Sequence, residues 1–519
     1  MADTQSGNLT GLYYAEETSL KVLPVTPVWY EREPNSYPDF GGEYSMTTRV
    51  PITHDRQRRK GAITDVEPSG GWNEDLTANN FPRLMQGFMF ANAREKASTQ
   101  PLNGTQRPIT GVTTASDQYA AAAGLTMFIA GHLVLASGFT NAGNNGLKSV
   151  TASAAGTVTV SDNLTDEASP PSAAKLQAVG FQFGSATVAL DVSADNLKMT
   201  SSTTDLTTLG LSVGEWIIIG GDTTATRFAD PVVGTAVSNS PFYARISIIT
   251  AGALTFDKTT GVQVDNAGTG KTIRIFFPNR IIRNEEDCTL IKMKSYTLER
   301  QYGCGAGQVE AEYVLGAIPN EMTINIPTPG ADAKVNIDVA FVGMEVAYRD
   351  KATGVMTGTR TASLNEGFFG TSLNVYQNKL AVVDPLTLNP TDLVAYLSEA
   401  TITINNNVTG VKAIGSFGNA GTNVGSFDVG ASTTGWWNGV SVPLAVRNST
   451  DATWHTILTK QNAAVVFDMP LVALGNGRAA VEANAPVTIP LDVSAAKGAA
   501  GYTLMTCFFP YVPTVAMAA

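Results

Sequence analysis

Three histidines, His54, His132 and His455, are the only imidazoles in the chain. No pair of them stands at metal-ligand spacing or beside a cluster of cysteines or carboxylates, so zinc chemistry is not expected. The cysteines Cys288, Cys304 and Cys507 are too few and too scattered for a disulfide framework, which points to synthesis in a reducing compartment. There is no G-x-S-x-G elbow, no H-E-x-x-H and no P-loop, so the commoner hydrolase signatures are missing. The run Gly303-Cys304-Gly305-Ala306-Gly307 has the glycine density of a phosphate loop, but neither its spacing nor a following helix to aim amides at a phosphate. It reads as a turn. These residues predict neither an enzyme nor a cofactor.

A basic run, Arg49, His54, Arg56, Arg58, Arg59 and Lys60, is followed by Asp65, Glu67, Glu74 and Asp75. Nucleic-acid binding would call for aromatic stacking residues among the charges, and none are interleaved. The expected role of Arg49, Arg56, Arg58, Arg59 and Lys60 is pairing with carboxylates of a neighbouring subunit. A formal net charge of -11 gives the chain no general attraction to a phosphate backbone. Only 15% of residues are charged, against roughly 25% in an ordinary soluble domain. That shortfall suits a subunit whose surface is largely covered by copies of itself. Trp436 and Trp437 could mark a sugar-binding face, although core or subunit packing is the preferred reading.

The elements that must position these residues are mostly strands. Val335, Ile337, Val339 and Phe341 recur at every second position, as do apolar residues in 322–326, 401–404 and 487–493, each stretch bounded by turn residues. The fold class predicted is mainly β, with antiparallel sheets closed into a barrel or sandwich. Two short helices are expected, over residues 82–96 and 449–460, the second from the stripe of Trp454, Ile457 and Leu458. Residues 124–281 read as an inserted domain holding a degenerate duplication, about 124–185 and 205–278, between flanks 1–123 and 282–519. In it, 131–138, 147–150, 155–160 and 179–183 are answered in order by 214–221, 244–248, 251–256 and 272–276. No secretory signal is read at the N-terminus, and no apolar run reaches the ~18 residues that span a bilayer.

Taken in order, several segments resemble the tail tube proteins of long-tailed bacteriophages. They are Gly11-Leu12-Tyr13-Tyr14-Ala15-Glu16-Glu17-Thr18, Arg49-Val50-Pro51-Ile52, Pro68-Ser69-Gly70-Gly71-Trp72, residues 295–300 and 314–321, Thr401-Ile402-Thr403-Ile404, Val465-Val466-Phe467-Asp468-Met469-Pro470 and Val487-Thr488-Ile489-Pro490-Leu491. The resemblance covers residues 10–100 and 290–510. It implies a β-sandwich or barrel flanked by short helices, assembling as rings, usually hexameric, that stack around a tape measure protein and conduct DNA without binding it specifically. It also implies tail terminator and baseplate or distal tail proteins as partners, a place in the virion tail, synthesis in the bacterial cytoplasm and no membrane insertion. The insertion would decorate the outside of the tube.

Strand edges can join copies, since unpaired backbone groups of one sheet complete another. The Gly- and Thr-rich loop 351–373 is the expected contact with the adjacent ring, through Thr357, Thr359, Arg360, Phe368 and Phe369. Excising 357–366 is expected to leave a folded chain that does not polymerise. An acidic or neutral channel lining is expected, because transit of DNA demands weak contact. The alternative reading is a carbohydrate-binding adhesin or receptor-binding tail fibre, for which Trp216, Trp436 and Trp437 are the motive.

Overall fold

The structure, a computed structural model, describes residues 7–513 apart from 38, 53, 56, 95–105, 192–196, 229–240, 258–263, 304–308, 384–389, 395 and 461. The N-terminal part supplies β1 (Thr10–Glu16), β2 (Val28–Arg32), β3 (Pro34–Ser36), β4 (Gly41–Thr47), β5 (Ala62–Asp75) and α1 (Phe81–Phe88). The middle supplies β6 (Gln106–Pro108), β7 (Gly111–Thr113), β8 (Gln118–Ala120), β9 (His132–Ser137), β10 (Gly146–Ser153), β11 (Thr157–Val160), β12 (Lys175–Gln182), β13 (Val188–Asp191), β14 (Leu197–Ser201), β15 (Trp216–Ile219), β16 (Phe242–Ile249), β17 (Ala253–Phe256) and β18 (Arg274–Phe276). Next come β19 (Arg280–Arg283), β20 (Tyr296–Tyr302), β21 (Glu310–Ile326), β22 (Asn336–Val342), β23 (Glu345–Arg349), β24 (Thr359–Thr361), α2 (Thr371–Asn374), β25 (Val375–Val383), β26 (Pro390–Asp392), β27 (Leu397–Asn405), β28 (Thr409–Val411) and β29 (Gly421–Asn423). The chain closes with β30 (Asp428–Trp436), α3 (Ser441–Arg447), β31 (Ala452–Lys460), β32 (Ala463–Asn476), β33 (Thr488–Ala496) and β34 (Met505–Phe509). The protein is mainly β with few short helices, as the alternation predicts.

Strands β1–β5, β19–β27 and β30–β34 form one connected sheet system, and that system is built twice. In its first half β4 pairs β5, β5 pairs β22, β22 and β23 pair β21, β21 pairs β20, β20 pairs β1 and β1 pairs β2. In its second half β27 pairs β30, β30 pairs β33, β33 and β34 pair β32, β32 pairs β31, β31 pairs β25 and β25 pairs β26. Even an irregularity repeats: β3 slips by one residue against β5 between Pro34 and Ser36, and β27 slips against β30 between Leu397 and Glu399. Helix α1 follows β5 as α3 follows β30. The halves are joined where β21 pairs β27, from Glu321 opposite Asn405 to Ile326 opposite Ala400. One core, including Trp72, Phe81, Phe88 and Phe341 from the first half and Ile402, Trp454, Phe467 and Leu491 from the second, fills the space behind both.

The helix expected over 82–96 is α1, and it stops at Phe88: Gly87 sits against the Tyr296 ring, and Phe90 takes a left-handed φ of 44°. The helix expected over 449–460 is instead the strand β31, and the helix lies just before it, at α3. The stripe of Trp454, Ile457 and Leu458 misled because every residue of β31 before Lys460 is buried, which hides the period of two. Trp454 and Leu458 face the main core, whereas Ile457 faces the second sheet system. Thr453, Thr456, Ile457 and Thr459 are β-branched and suit a strand paired on both sides.

Strands β6–β18 form the second system, ordered β13-β14-β17-β16-β15-β18-β12-β9-β10-β11-β8-β7, with β6 beside β12. From the central β18–β12 pair outward the two arms match strand for strand. Each arm has its own core, one around Tyr119, Phe128, Val134 and Leu176, the other around Phe183, Ile217, Leu254 and Phe256. The bulge between Val150 and Ala152 answers that between Ile246 and Ile248. Gly131 and Gly214, at φ 94° and 88°, make the same tight entry into β9 and β15. Strands β6, β7 and β8, which precede residue 124, pair within this sheet.

The whole system occupies the link between α1 and β20, where the other half has only residues 448–451 between α3 and β31. At its base, Arg94 clamps Glu285 with Nε and Nη2 at 2.6 Å each, and Arg283 Nε adds a contact at 3.3 Å. Although burial works against ionisation, these arginines hold the Glu285 carboxyl below its ordinary value.

Candidate functional site

The strands β4, β5, β22, β21, β27, β30, β33 and β32 run side by side through both halves. None of them contains a lysine or an arginine. Their alternation sends Trp72, Met322, Ile324, Ile337, Val339, Ile402, Ile404, Val429, Leu491 and Val493 into the core. The same alternation turns Asn73, Asp338, Asn325, Thr323, Thr403, Ser432 and Asp492 the other way. This outward face is a polar, acidic surface whose groups satisfy one another. Asn73 Nδ2 and Asn325 Nδ2 each donate to the Asp338 carboxylate at 2.8 Å. The Asn405 amide donates to Glu321 Oε2 at 3.4 Å and the Thr434 hydroxyl to Glu399 Oε1 at 3.1 Å. At its margin Lys334 Nζ meets Asp75 at 2.7 Å. Amides and hydroxyls that are already paired, beside carboxylates, offer a polyanion little to hold.

The β4–β5 hairpin extends beyond this sheet. Tyr44, Met46, Val50, Ile52 and Ile63 on it are exposed, Ile52 fully. Arg49, Arg58, Arg59 and Lys60 lie exposed at its tip, while Arg56 lies outside the described residues. Arg59 pairs with Asp55 at 3.2 Å, and its amide donates to the Arg49 carbonyl at 3.1 Å. The structure thus brings the described residues of the basic run to one hairpin tip. The β28–β29 hairpin, Thr409 opposite Asn423, leans on the β4–β5 hairpin: Lys412 Nζ reaches Asp65 at 2.8 Å, and Phe417 stacks on Tyr44 at 6.3 Å. The Lys412 ammonium is the main cause holding Asp65 below its ordinary value.

The loop 351–373 has a use inside its own protomer. It lays β24 parallel to β2, and the Thr357 carbonyl accepts from Trp29 Nε1 at 3.0 Å. Arg360 Nη2 meets both oxygens of the fully buried Glu299 at 2.7 and 2.8 Å. Tyr313 donates to Glu299 at 2.6 Å and accepts from the Met356 amide at 2.8 Å. Phe369 is buried in the main core. Of the five residues singled out, only Thr357, Thr359 and Phe368 are exposed. Excising 357–366 would therefore uncover Trp29 and strip Glu299 of its arginine, so a folded product is no longer expected.

Sequence reasoning missed a second buried pair, where the β6–β18 system docks on the second half. Arg245 Nη1 meets Asp468 at 2.9 Å, Arg245 Nε meets Asp257 at 2.6 Å, and Tyr502 donates to Asp468 at 2.7 Å. Burial pushes the Asp468 carboxyl up while Arg245 and Tyr502 oppose it. Arg245 stays protonated against its own burial because of Asp257 and Asp468. Around them Trp216, Ile218, Tyr243 and Phe276 pack on Ile457, Val466, Tyr502 and Phe509. The available signal was the lone charge in the apolar run Val466-Phe467-Asp468-Met469; Glu299, followed by Arg300, gave no such signal. Trp216 is buried beside His455, 4.7 Å between ring centroids, whereas Trp436 and Trp437 are partly exposed. The run after Gly303 lies outside the described residues through 308.

The family described as phage tail tube protein matches residues 219–495. No curated protein matches the chain.

Proposed function

The chain belongs to the phage tail tube protein family, and from that premise we propose that its copies join into rings, six tube units to a ring, that stack into the conduit for DNA ejection. The observation that carries this reading is the sheet shared by both halves, apolar behind and free of lysine and arginine in front. Its outward face lines the channel, and its carboxylates and paired amides let DNA slide. The exposed hairpin around Ile52 with Arg49, Arg58, Arg59 and Lys60, and the exposed Phe368, make contacts between rings. The insertion, about residues 106–277, stands on the outside as a separate domain. Tape measure, tail terminator and baseplate or distal tail proteins are the expected companions in the virion tail.

Electron microscopy of the purified protein tests this directly. Tubes with a regular axial repeat are expected, with Asp338 and Asp492 on the inner wall. Discrete particles that bind glycans through Trp436 without forming tubes would favour an adhesin instead, and a basic inner wall would overturn the channel assignment.

A further inference from the structure

Within each chain the β21–β27 ladder joins the two repeated halves of the main sheet system, and β34 also takes up β19 from the link that carries the insertion. The repeated pairing scheme identifies the counterparts of both partners. The counterpart of β27 is the run through β3 into β4, which carries the same one-residue slip against β5 that β27 carries against β30. The counterpart of the far end of β21 is the far end of β32, extended by the bridge between Ala480 and Thr488. Neither counterpart has the corresponding partner. Among the described residues, β3 and β4 pair only with β5, and β32 beyond Val472 pairs only with β33. The two open segments lie at opposite ends of the strand run, so one chain presents a donor edge at one end and an acceptor edge at the other. Asp39 is exposed on the first and Arg478 on the second.

We infer that residues 39–42 of one chain pair with residues 474–480 of a second copy, so that the joint between chains repeats the β21–β27 joint inside each chain. Such a contact is head-to-tail and uses two different surfaces, the kind that closes into a ring when its rotation permits. Edge backbone groups that lack a ladder partner gain one in a single step, and Asp39 meets Arg478 across the seam. Each chain then supplies two units of the wall, and a ring of six units closes with three chains. This rests on the ring reading proposed above and names its partner surface.

The test uses the full chain with Asp39→Arg, Arg478→Asp and both together. Each single reversal places like charges at the seam and is expected to abolish tubes while leaving the monomer's circular dichroism and thermal transition unchanged. The double reversal is expected to restore tubes. Native mass spectrometry of rings, or the symmetry of an unaveraged tube reconstruction, is expected to count three chains per ring. Tubes with six chains per ring, or single variants that assemble like the parent, would overturn the joint while leaving tube formation intact. A parent protein that forms no rings or tubes under any condition would overturn both.

Discussion

The outer faces of the two halves are the same surface closed by two different lids. In the first half Ala311 and Tyr313 of β21 are covered by the loop that carries Met356 and Arg360; in the second, the matching Ala464 and Val466 of β32 are covered by the inserted sheet. Each lid brings an arginine to a fully buried carboxylate, Arg360 to Glu299 and Arg245 to Asp468, and each carboxylate also accepts from a tyrosine, Tyr313 or Tyr502. The apolar contacts supply the adhesion. The charged pair penalises any other seating, because a buried charge left alone costs about 3–5 kcal/mol. A loop and a whole domain thus meet one docking requirement.

Replacing the arginines should break this parallel most visibly. Arg245→Ala is expected to destabilise the chain by about 3–5 kcal/mol in urea denaturation. Arg360→Ala should cost somewhat less, since its side chain is 26% exposed against 11% for Arg245 and water can partly replace it. Equal, negligible losses would show that the lids are held by apolar packing alone. Next in size, Tyr313→Phe and Tyr502→Phe each remove a hydrogen bond to a buried carboxylate and should cost about 1.5–3 kcal/mol. The two losses should match within error if the lids are physically alike.

A pH scan should separate the lids. Burial, reinforced by Arg245 and Lys379, holds the His455 imidazole well below its ordinary value of 6.5, and Gln377 Oε1 lies 3.1 Å from its Nε2. The folded state therefore binds fewer protons than the unfolded one. The stability this confers is complete above pH 6.5 and is lost progressively below it. Calorimetry should show the inserted-sheet interface weakening as pH falls below that value, and His455→Gln should flatten the slope. The first half has no histidine under its lid and should lack this response. The smallest effect is expected at the hairpin tip. Arg59→Ala breaks an exposed pair with Asp55 and should change stability by about 0–1 kcal/mol, leaving any assembly defect as the readable consequence.

The strands with one wet face were legible from sequence: 335–341, 322–326, 401–404 and 487–493 alternate because one side meets the core and the other does not. β31 was not legible, because the insertion covers the side that would otherwise meet water, so apolar Ile457 stands on that side beside Thr453 and His455 and the alternation is lost. The duplication inside the insertion could be read from its ordered strand and glycine positions. The duplication of the main sheet could not, since it survives in pairing and slip positions while Trp72 and Thr433, or Tyr313 and Val466, share no chemistry. Among the candidate contact residues, the basic run was recognisable as a cluster of like charge. Arg360 and Phe369 looked free only because their partners, Glu299 and the main core, are remote in the chain.

The insertion interrupts only one of the two halves; residues 448–451 close the same gap in the other. If the proposed ring and the outward placement of the insertion hold, a cylinder of these chains bears one knob for every second stave of its wall, and its exterior and its bore obey different rotational periods. Averaging an image over every stave would keep the bore sharp and dilute each knob to half its density, whereas averaging over whole chains would restore it.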